Sequence, residues 1–65
     1  MKYIMLFANK DDMYPEFVPA DMSSDEKAVA AAKTFMSHAR NGTELIAVLE
    51  GDVRVVYPPR GGRNG

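Results

Sequence analysis

The sequence contains no cysteine and only one histidine, His38. Disulfide bonds and thiolate metal sites are therefore excluded, and a zinc site would have to take most of its ligands from carboxylates. A domain of 65 residues buries only a small core, and domains of this size often need disulfides, a metal or a partner. By elimination, we expect self-association or a protein partner. The lack of cysteine is also typical of a cytoplasmic protein.

An excess of charge of one sign is lacking too. The chain has eight basic and nine acidic residues, for a net charge of −1. This balance indicates neither a basic nucleic-acid-binding surface nor a strongly acidic mimic of nucleic acid. No apolar run approaches the roughly 20 residues of a membrane span. The apolar run from Tyr3 to Ala8 leads into polar residues rather than a cleavage site. We therefore expect neither a membrane span nor a signal peptide.

The segment from Ser23 to Gly42 carries the signals of a helix at both ends. Ser23 and Glu26 have the spacing of a capping box, in which each side chain accepts from the other residue's backbone N–H. Arg40 suits the last turn of a helix, and Asn41-Gly42 is a typical stop. We predict one helix over about residues 23–41. Its apolar stripe, at about 100° per residue, contains Ala28, Val29, Ala32, Phe35, Met36 and Ala39.

Apolar segments on both sides of this helix predict four strands. Lys2–Ala8 and Thr43–Glu50 are continuous apolar runs, as in strands covered on both faces. Tyr14–Asp21 contains two prolines, which cannot donate to a strand ladder, so we place this segment at a sheet edge. Gly51-Asp52 predicts a two-residue hairpin turn, and Val53–Tyr57 is the returning strand.

The order of these elements predicts an α+β fold, a single ββαββ domain over residues 1–57. If the first two strands form a hairpin, the helix returns the chain so that the third strand can lie antiparallel to the first. The sheet then has the order 2-1-3-4, with the helix packed on one face. Residues 58–65, composed mostly of proline, glycine and arginine, are predicted to form a tail that is flexible unless bound.

One helix covers only one face of such a sheet, so the other face is left with large apolar side chains. An exposed apolar patch of that kind usually marks an interaction site. We expect it to pack on a second copy or on another protein; the alternative is that the tail or the loop of residues 11–21 folds over it. The candidate interaction residues are Tyr3, Met5, Phe7, Leu45, Leu49, Val55 and Tyr57.

Groups that could perform chemistry are few. His38 lies off the apolar stripe, and Ser37 precedes it, but successive residues of a helix do not face each other. Asp11, Asp12 and Glu16 could hold a cation weakly, but their spacing matches no calcium loop, which favours a polar hairpin. We therefore expect no catalytic residue, no metal site, no cofactor-binding residue and no cofactor.

Three functions are compatible with these observations. The preferred one is a non-enzymatic interaction module, an accessory subunit or inhibitor that acts as a homodimer or with another protein. The second is a nucleic-acid-binding accessory that uses Arg60 and Arg63 of the tail, with help from Lys2, Lys33, Arg40 or Arg54. The third is a small oligomeric enzyme with acids from the loop of residues 11–16. It is disfavoured because no nucleophile, base and stabilising group converge.

A further pattern runs from Ser24 to Tyr57. It consists of the helix start Asp25–Ala31, the strand segment Glu44–Val48, the Gly51-Asp52 turn and the strand segment Arg54–Val56. In these parts the chain resembles a group of short uncharacterised bacterial proteins with a D-E-x-A-x-x-A helix followed by a β-hairpin. The aromatic residue that follows the leucine in that group is absent here. The resemblance implies an α+β fold and a bacterial protein, and it implies no activity.

Overall fold

The structure, a computed structural model, describes residues 1–51 and 54–59. Within these residues the elements are β1 (Lys2–Asn9), β2 (Glu16–Asp21), α1 (Asp25–Ser37), β3 (Thr43–Glu50) and β4 (Arg54–Tyr57). The strands form one antiparallel sheet in the order β2-β1-β3-β4. The predicted ββαββ topology and strand order are therefore confirmed.

The strand β2 lies at an edge of the sheet, as its prolines predicted. Pro19 lies opposite Ile4 of β1 in a non-hydrogen-bonded pair, so its missing N–H is on the outer edge of the sheet, where no strand pairs with it. The strand begins at Glu16 rather than at Tyr14, directly after Pro15. The two prolines thus determine both where this strand starts and where it can sit in the sheet.

The helix α1 begins one residue later than its sequence signals predicted. Ser24, not Ser23, is the N-cap: its backbone is extended, and its hydroxyl accepts a hydrogen bond from the backbone N–H of Lys27 at 3.2 Å. The predicted capping box of Ser23 and Glu26 is therefore wrong. The later start makes Asp25 the first helical residue, where its carboxylate is close to the positive end of the helix dipole.

This N-cap can be tested because a second serine precedes it. We expect Ser24→Ala to lower the free energy of unfolding by about 1 kcal/mol, the usual cost of losing an N-cap side chain. Ser23→Ala is the matched control and should leave stability nearly unchanged. Urea denaturation followed by circular dichroism measures both variants. A larger loss in Ser23→Ala than in Ser24→Ala would restore the capping box.

The helix ends at Ser37, earlier than the predicted residue 41. The Ser37 hydroxyl donates to the backbone carbonyl of Thr34 at 2.7 Å, and His38 Nδ1 lies 2.9 Å from the same oxygen. Side chains that bond to nearby carbonyls compete with the helical pattern, so the helix stops here. Arg40 consequently lies beyond the helix and forms an ion pair with Asp12 of the β1–β2 loop.

The core lies between α1 and one face of the sheet. Ala28 and Ala32 are completely buried, and their small side chains let the helix backbone come close to the strands. Val29 and Met36 also pack on this core. Phe35 is partly exposed, but its ring stacks on Phe7 with the ring centroids 4.8 Å apart. The predicted apolar stripe of the helix is thus the packing face.

A β-bulge in β3 changes which side chains point toward the helix. Phe7 lies opposite Leu45, whereas the residue before Phe7 lies opposite Ala47, so Ile46 is the extra residue. Leu45 therefore faces the helix with Phe7, while Ala47 and Leu49 face away. The prediction that Leu45 and Leu49 share one interaction face is wrong, because the bulge lies between them.

Several predictions concern residues 52–53 and 60–65, which lie outside the described residues. Gly51 has a φ of +62° at the start of the β3–β4 connection, a conformation that glycine adopts without strain. On the other side of the connection, Arg54 lies opposite Glu50. The second turn residue, Asp52, and most of the tail remain predictions.

Candidate docking surface

The sheet face opposite α1 is apolar. In antiparallel pairs, directly opposed residues point to the same face. Register places Ile4 opposite Pro19 and Leu49, and the next outward-facing residue of β1, Leu6, opposite Phe17 and Ala47. Val55 of β4 lies opposite Leu49. We call this surface the open face; its residues are Ile4, Leu6, Phe17, Pro19, Ala47, Leu49 and Val55.

None of the elements within residues 1–51 and 54–59 packs over the open face. Phe17 is 62% exposed and Val55 is 41% exposed, although both belong to strands. The loop between β1 and β2 does not fold back either, since its Met13 and Tyr14 are 85% and 76% exposed. Of the loop that was the alternative cover for this face, residues 16–21 are part of the sheet.

The structure places the predicted interaction residues of β1 on the covered face. Tyr3, Met5 and Phe7 are at most 5% exposed and belong to the core beneath α1. They are therefore removed from the candidate surface. The residues of β1 that replace them are Ile4 and Leu6, which alternate with the buried side chains along the strand.

The remaining predicted residues divide between the two faces. Leu45 packs against the core, and Tyr57 also lies on the helix side, where Lys33 Nζ is 5.4 Å from its ring centroid. Leu49 and Val55 lie on the open face. The sequence-based set thus combined residues of opposite faces, and Phe17, Pro19 and Ala47 were missed.

A network of hydrogen bonds, here called the polar bridge, ties the start of α1 to the sheet. The Tyr3 hydroxyl donates to Asp25 Oδ1 at 2.8 Å. Arg54 donates to the same carboxylate through both terminal nitrogens, at 2.7 and 2.8 Å, and its Nε donates to Glu50 at 2.7 Å. A two-point arginine–carboxylate contact fixes geometry as well as charge. The polar bridge therefore holds the helix in position over β1, β3 and β4.

The pKa values in the polar bridge are shifted in ways that keep its protonation fixed. Burial, with the hydrogen bond to Asp25, raises the pKa of Tyr3 to about 12. Hydrogen bonds from Arg54 and Tyr3 hold the pKa of Asp25 below its usual 3.8. Hydrogen bonds to Asp25 and Glu50 raise the pKa of Arg54. None of these shifts brings a group toward titration at neutral pH, so we interpret the bridge as structural.

The Asp25 shift predicts acid sensitivity. Because the pKa of Asp25 is lower in the folded protein than in the unfolded chain, its stabilising effect is fully present above the ordinary pKa. The effect is lost as the pH falls from that value through the lower pKa of the folded state. We expect wild-type stability to fall as the pH drops below about 5. In Asp25→Asn, stability should be lower at pH 7 and should fall less on acidification.

Part of the acid response should remain in this variant, because hydrogen bonding to the amino group of Met1 also lowers the pKa of Asp21. Urea titrations at several pH values measure this, and an equal pH response in both proteins would contradict it.

The residues considered for chemistry lie on the surface. Asp12 is occupied by its ion pair with Arg40. Ser37 Oγ lies 3.3 Å from His38 Nδ1, closer than expected, because His38 is at the end of the helix and no longer helical. Both side chains also contact the carbonyl of Thr34. In the described part of the chain, no three histidine or acidic side chains gather where they could hold a metal ion.

The basic residues proposed for nucleic-acid contacts are dispersed. Arg40 and Arg54 are paired with carboxylates, Lys33 lies over a tyrosine ring on the helix side, and Lys2 lies at one end of the open face, 3.8 Å from Asp21. Arg60 and Arg63 lie outside the described residues. Among residues 1–51 and 54–59, no helix combines the length and apolar character needed to cross a membrane.

Comparison with known proteins gave no match to any protein-family model, curated protein or solved structure. The resemblance to short bacterial proteins therefore stays a prediction.

Proposed function

We propose that this chain is a protein-interaction module that docks through the open face. The observation that supports this function is a layer of seven apolar side chains on one sheet face, with no described element covering them. Removing apolar surface from water is the main favourable term in protein association, at about 25 cal/mol per Å². The open face supplies apolar surface that docking would remove from water.

The distribution of polar groups on this face favours a protein partner. Its central residues, from Ile4 to Leu6 and from Ala47 to Leu49, point no charged side chain outward. Charged side chains occur at its two ends, with Lys2 and Asp21 at one end and Glu44 at the other. An apolar centre with a polar rim is the usual anatomy of a protein interface. We therefore propose a partner with a flat apolar surface of similar size.

The chain acts, in this proposal, as a scaffold rather than as an enzyme. The polar bridge lies on the helix side of the sheet, and its side chains form hydrogen bonds with one another. Its single histidine, His38, is exposed, and so are Asp11 and Asp12 of the β1–β2 loop. An accessory subunit and an inhibitor would both use the open face in the same way.

The experiment that tests this function is protein capture with matched variants. Immobilised wild type, Leu6→Lys and Ala30→Lys are exposed to an extract of the source organism and to a labelled copy of the chain itself. Leu6 is at the centre of the open face, while Ala30 is exposed on the outer side of α1. We expect wild type and Ala30→Lys to retain the same protein and Leu6→Lys to lose it. Equal retention by all three proteins, or retention by none, would contradict the proposal.

A further inference from the structure

We infer that the occupant of the open face is a second copy of this chain, turned end over end, so that two sheets form a β-sandwich. This inference rests on the proposed function and specifies its partner. Three features of the open face support it: the sizes of facing side chains, the charges at its ends and its area.

The open face contains two rows of side chains that run across the strands. In each row the residues lie directly opposite one another in neighbouring strands. The first row is Pro19, Ile4 and Leu49, and the second row is Phe17, Leu6 and Ala47. A twofold axis perpendicular to the strands, between the two sheets, places the first row of one copy over the second row of the other.

This arrangement puts a large side chain over a smaller one on β2 and again on β3, the two strands that flank β1. Phe17 meets Pro19 of the second copy, and Leu49 meets Ala47 of the second copy. On β1, Ile4 meets Leu6, which has nearly the same volume. Side chains of two packed sheets interdigitate at a spacing of about 10 Å, and facing large and small residues fill such a layer without voids. The face is therefore complementary to itself in this orientation.

The charges at the ends of the open face favour the same orientation. Lys2 lies at one end, where Asp21 is shared between Lys2 Nζ at 3.8 Å and the amino group of Met1 at 3.1 Å. Two cations beside one carboxylate leave this end positive. Glu44 lies at the other end, opposite Ala8. Turning one copy end over end brings Lys2 of each copy toward Glu44 of the other.

The alternative twofold axis, parallel to the strands, is less favourable. It keeps equivalent ends together, so Lys2 approaches Lys2 and Glu44 approaches Glu44. If that axis runs between β1 and β3, it also places Leu6 over Ala47 and Ile4 over Leu49, which gives one underfilled row and one crowded row. Like charges that face each other across an interface disfavour that register.

The area of the open face is sufficient for a dimer. Strands about 4.8 Å apart, with a rise of about 3.3 Å per residue, give a face of roughly 20 Å by 20 Å. Packing two such faces buries on the order of 1,000 Å² in total, which reaches the lower limit for a specific interface. We therefore expect a dimer with a dissociation constant on the order of micromolar.

The first test exchanges the sizes of two facing residues. Ala47→Leu should raise the dissociation constant at least tenfold, because it places leucine against Leu49 of the second copy at both symmetric contacts. Leu49→Ala should also raise it at least tenfold, because it leaves a void at the same contacts. The double variant restores a large residue over a small one, and its dissociation constant should return to within about fivefold of wild type. Sedimentation equilibrium over a concentration series measures all four proteins.

The second test uses exposed residues whose replacement leaves the core untouched. Lys2→Glu and Glu44→Lys should each raise the dissociation constant about tenfold at low salt, since each change creates repulsion at two symmetric positions. The combined variant should recover most of the loss. Lys27→Glu, on the exposed side of α1, is the control and should leave the dissociation constant unchanged.

Two results would overturn the inference. One is a wild-type chain that remains monomeric at millimolar concentration. The other is a dimer in which neither double variant recovers affinity. If the chain is monomeric but captures a different protein through Leu6, the second copy is excluded while the proposed function stands. If neither copy nor extract protein depends on Leu6, both proposals fail.

Discussion

Replacing Phe7 with alanine is expected to unfold much of the protein, whereas the same replacement at Phe17 should leave the fold intact. Phe7 is 1% exposed, lies beneath α1 and stacks on Phe35. Removing a buried phenylalanine side chain typically costs 3–5 kcal/mol. The free energy of unfolding of a small domain lies near the lower end of the usual range of about 5–15 kcal/mol. The variant should therefore lose most of its cooperative unfolding transition.

Phe17 is the matched control, because it carries the same side chain on the opposite face and is 62% exposed. We expect Phe17→Ala to change the free energy of unfolding by less than about 1 kcal/mol. Urea denaturation should be followed at a concentration well below that of self-association, so that only the single chain is measured. A greater loss in Phe17→Ala than in Phe7→Ala would show that the helix covers the other face.

Replacing Leu6 with lysine is expected to weaken docking at least a hundredfold without unfolding the chain. Leu6 lies on the central strand β1 in the middle of the open face. An ammonium group held there in a closed interface would have no short route to water. Losing the leucine contact and burying an unpaired charge together cost at least about 3 kcal/mol, which is more than a hundredfold in affinity.

The control for this change is Ala30→Lys, which adds the same charge on the exposed side of α1. Both variants should keep the wild-type circular dichroism spectrum, because an exposed lysine is compatible with a strand as well as with a helix. Sedimentation equilibrium then gives the dissociation constants. A Leu6→Lys protein that associates as tightly as Ala30→Lys would show that docking does not involve the open face.

The topology could be predicted because local and long-range signals agree. Two prolines placed β2 at an edge, and the alanine-rich stripe of α1 identified its packing face. A helix between two hairpins leaves few ways to order four antiparallel strands. The helix ends were less predictable, because Ser23 and Ser24 are equally good caps by type. Residue type alone therefore does not show which of them caps α1.

The candidate surface could be predicted as a feature but not as a set of residues. Alternation along β1 defines two faces, and both are apolar, so the pattern alone does not show which one the helix covers. Two polar residues of β1 indicate which of its faces lies beneath the helix. Tyr3 finds Asp25 for its hydroxyl, and Asn9, in phase with Tyr3, donates to Thr43 at 2.8 Å on the helix side. The bulge at Ile46 then changed the phase of β3, and no local signal marks it.

The open face of the single chain can be tested most directly by methyl NMR with a soluble paramagnetic probe. At low protein concentration, we expect the probe to broaden the methyl signals of Leu6 and Leu49 strongly, while those of Met5 and Val48 stay sharp. Raising the protein concentration should protect Leu6 and Leu49 as the faces dock. Sharp Leu6 and Leu49 signals at every concentration down to the most dilute would mean that the chain itself shelters this face, and the docking account would be wrong.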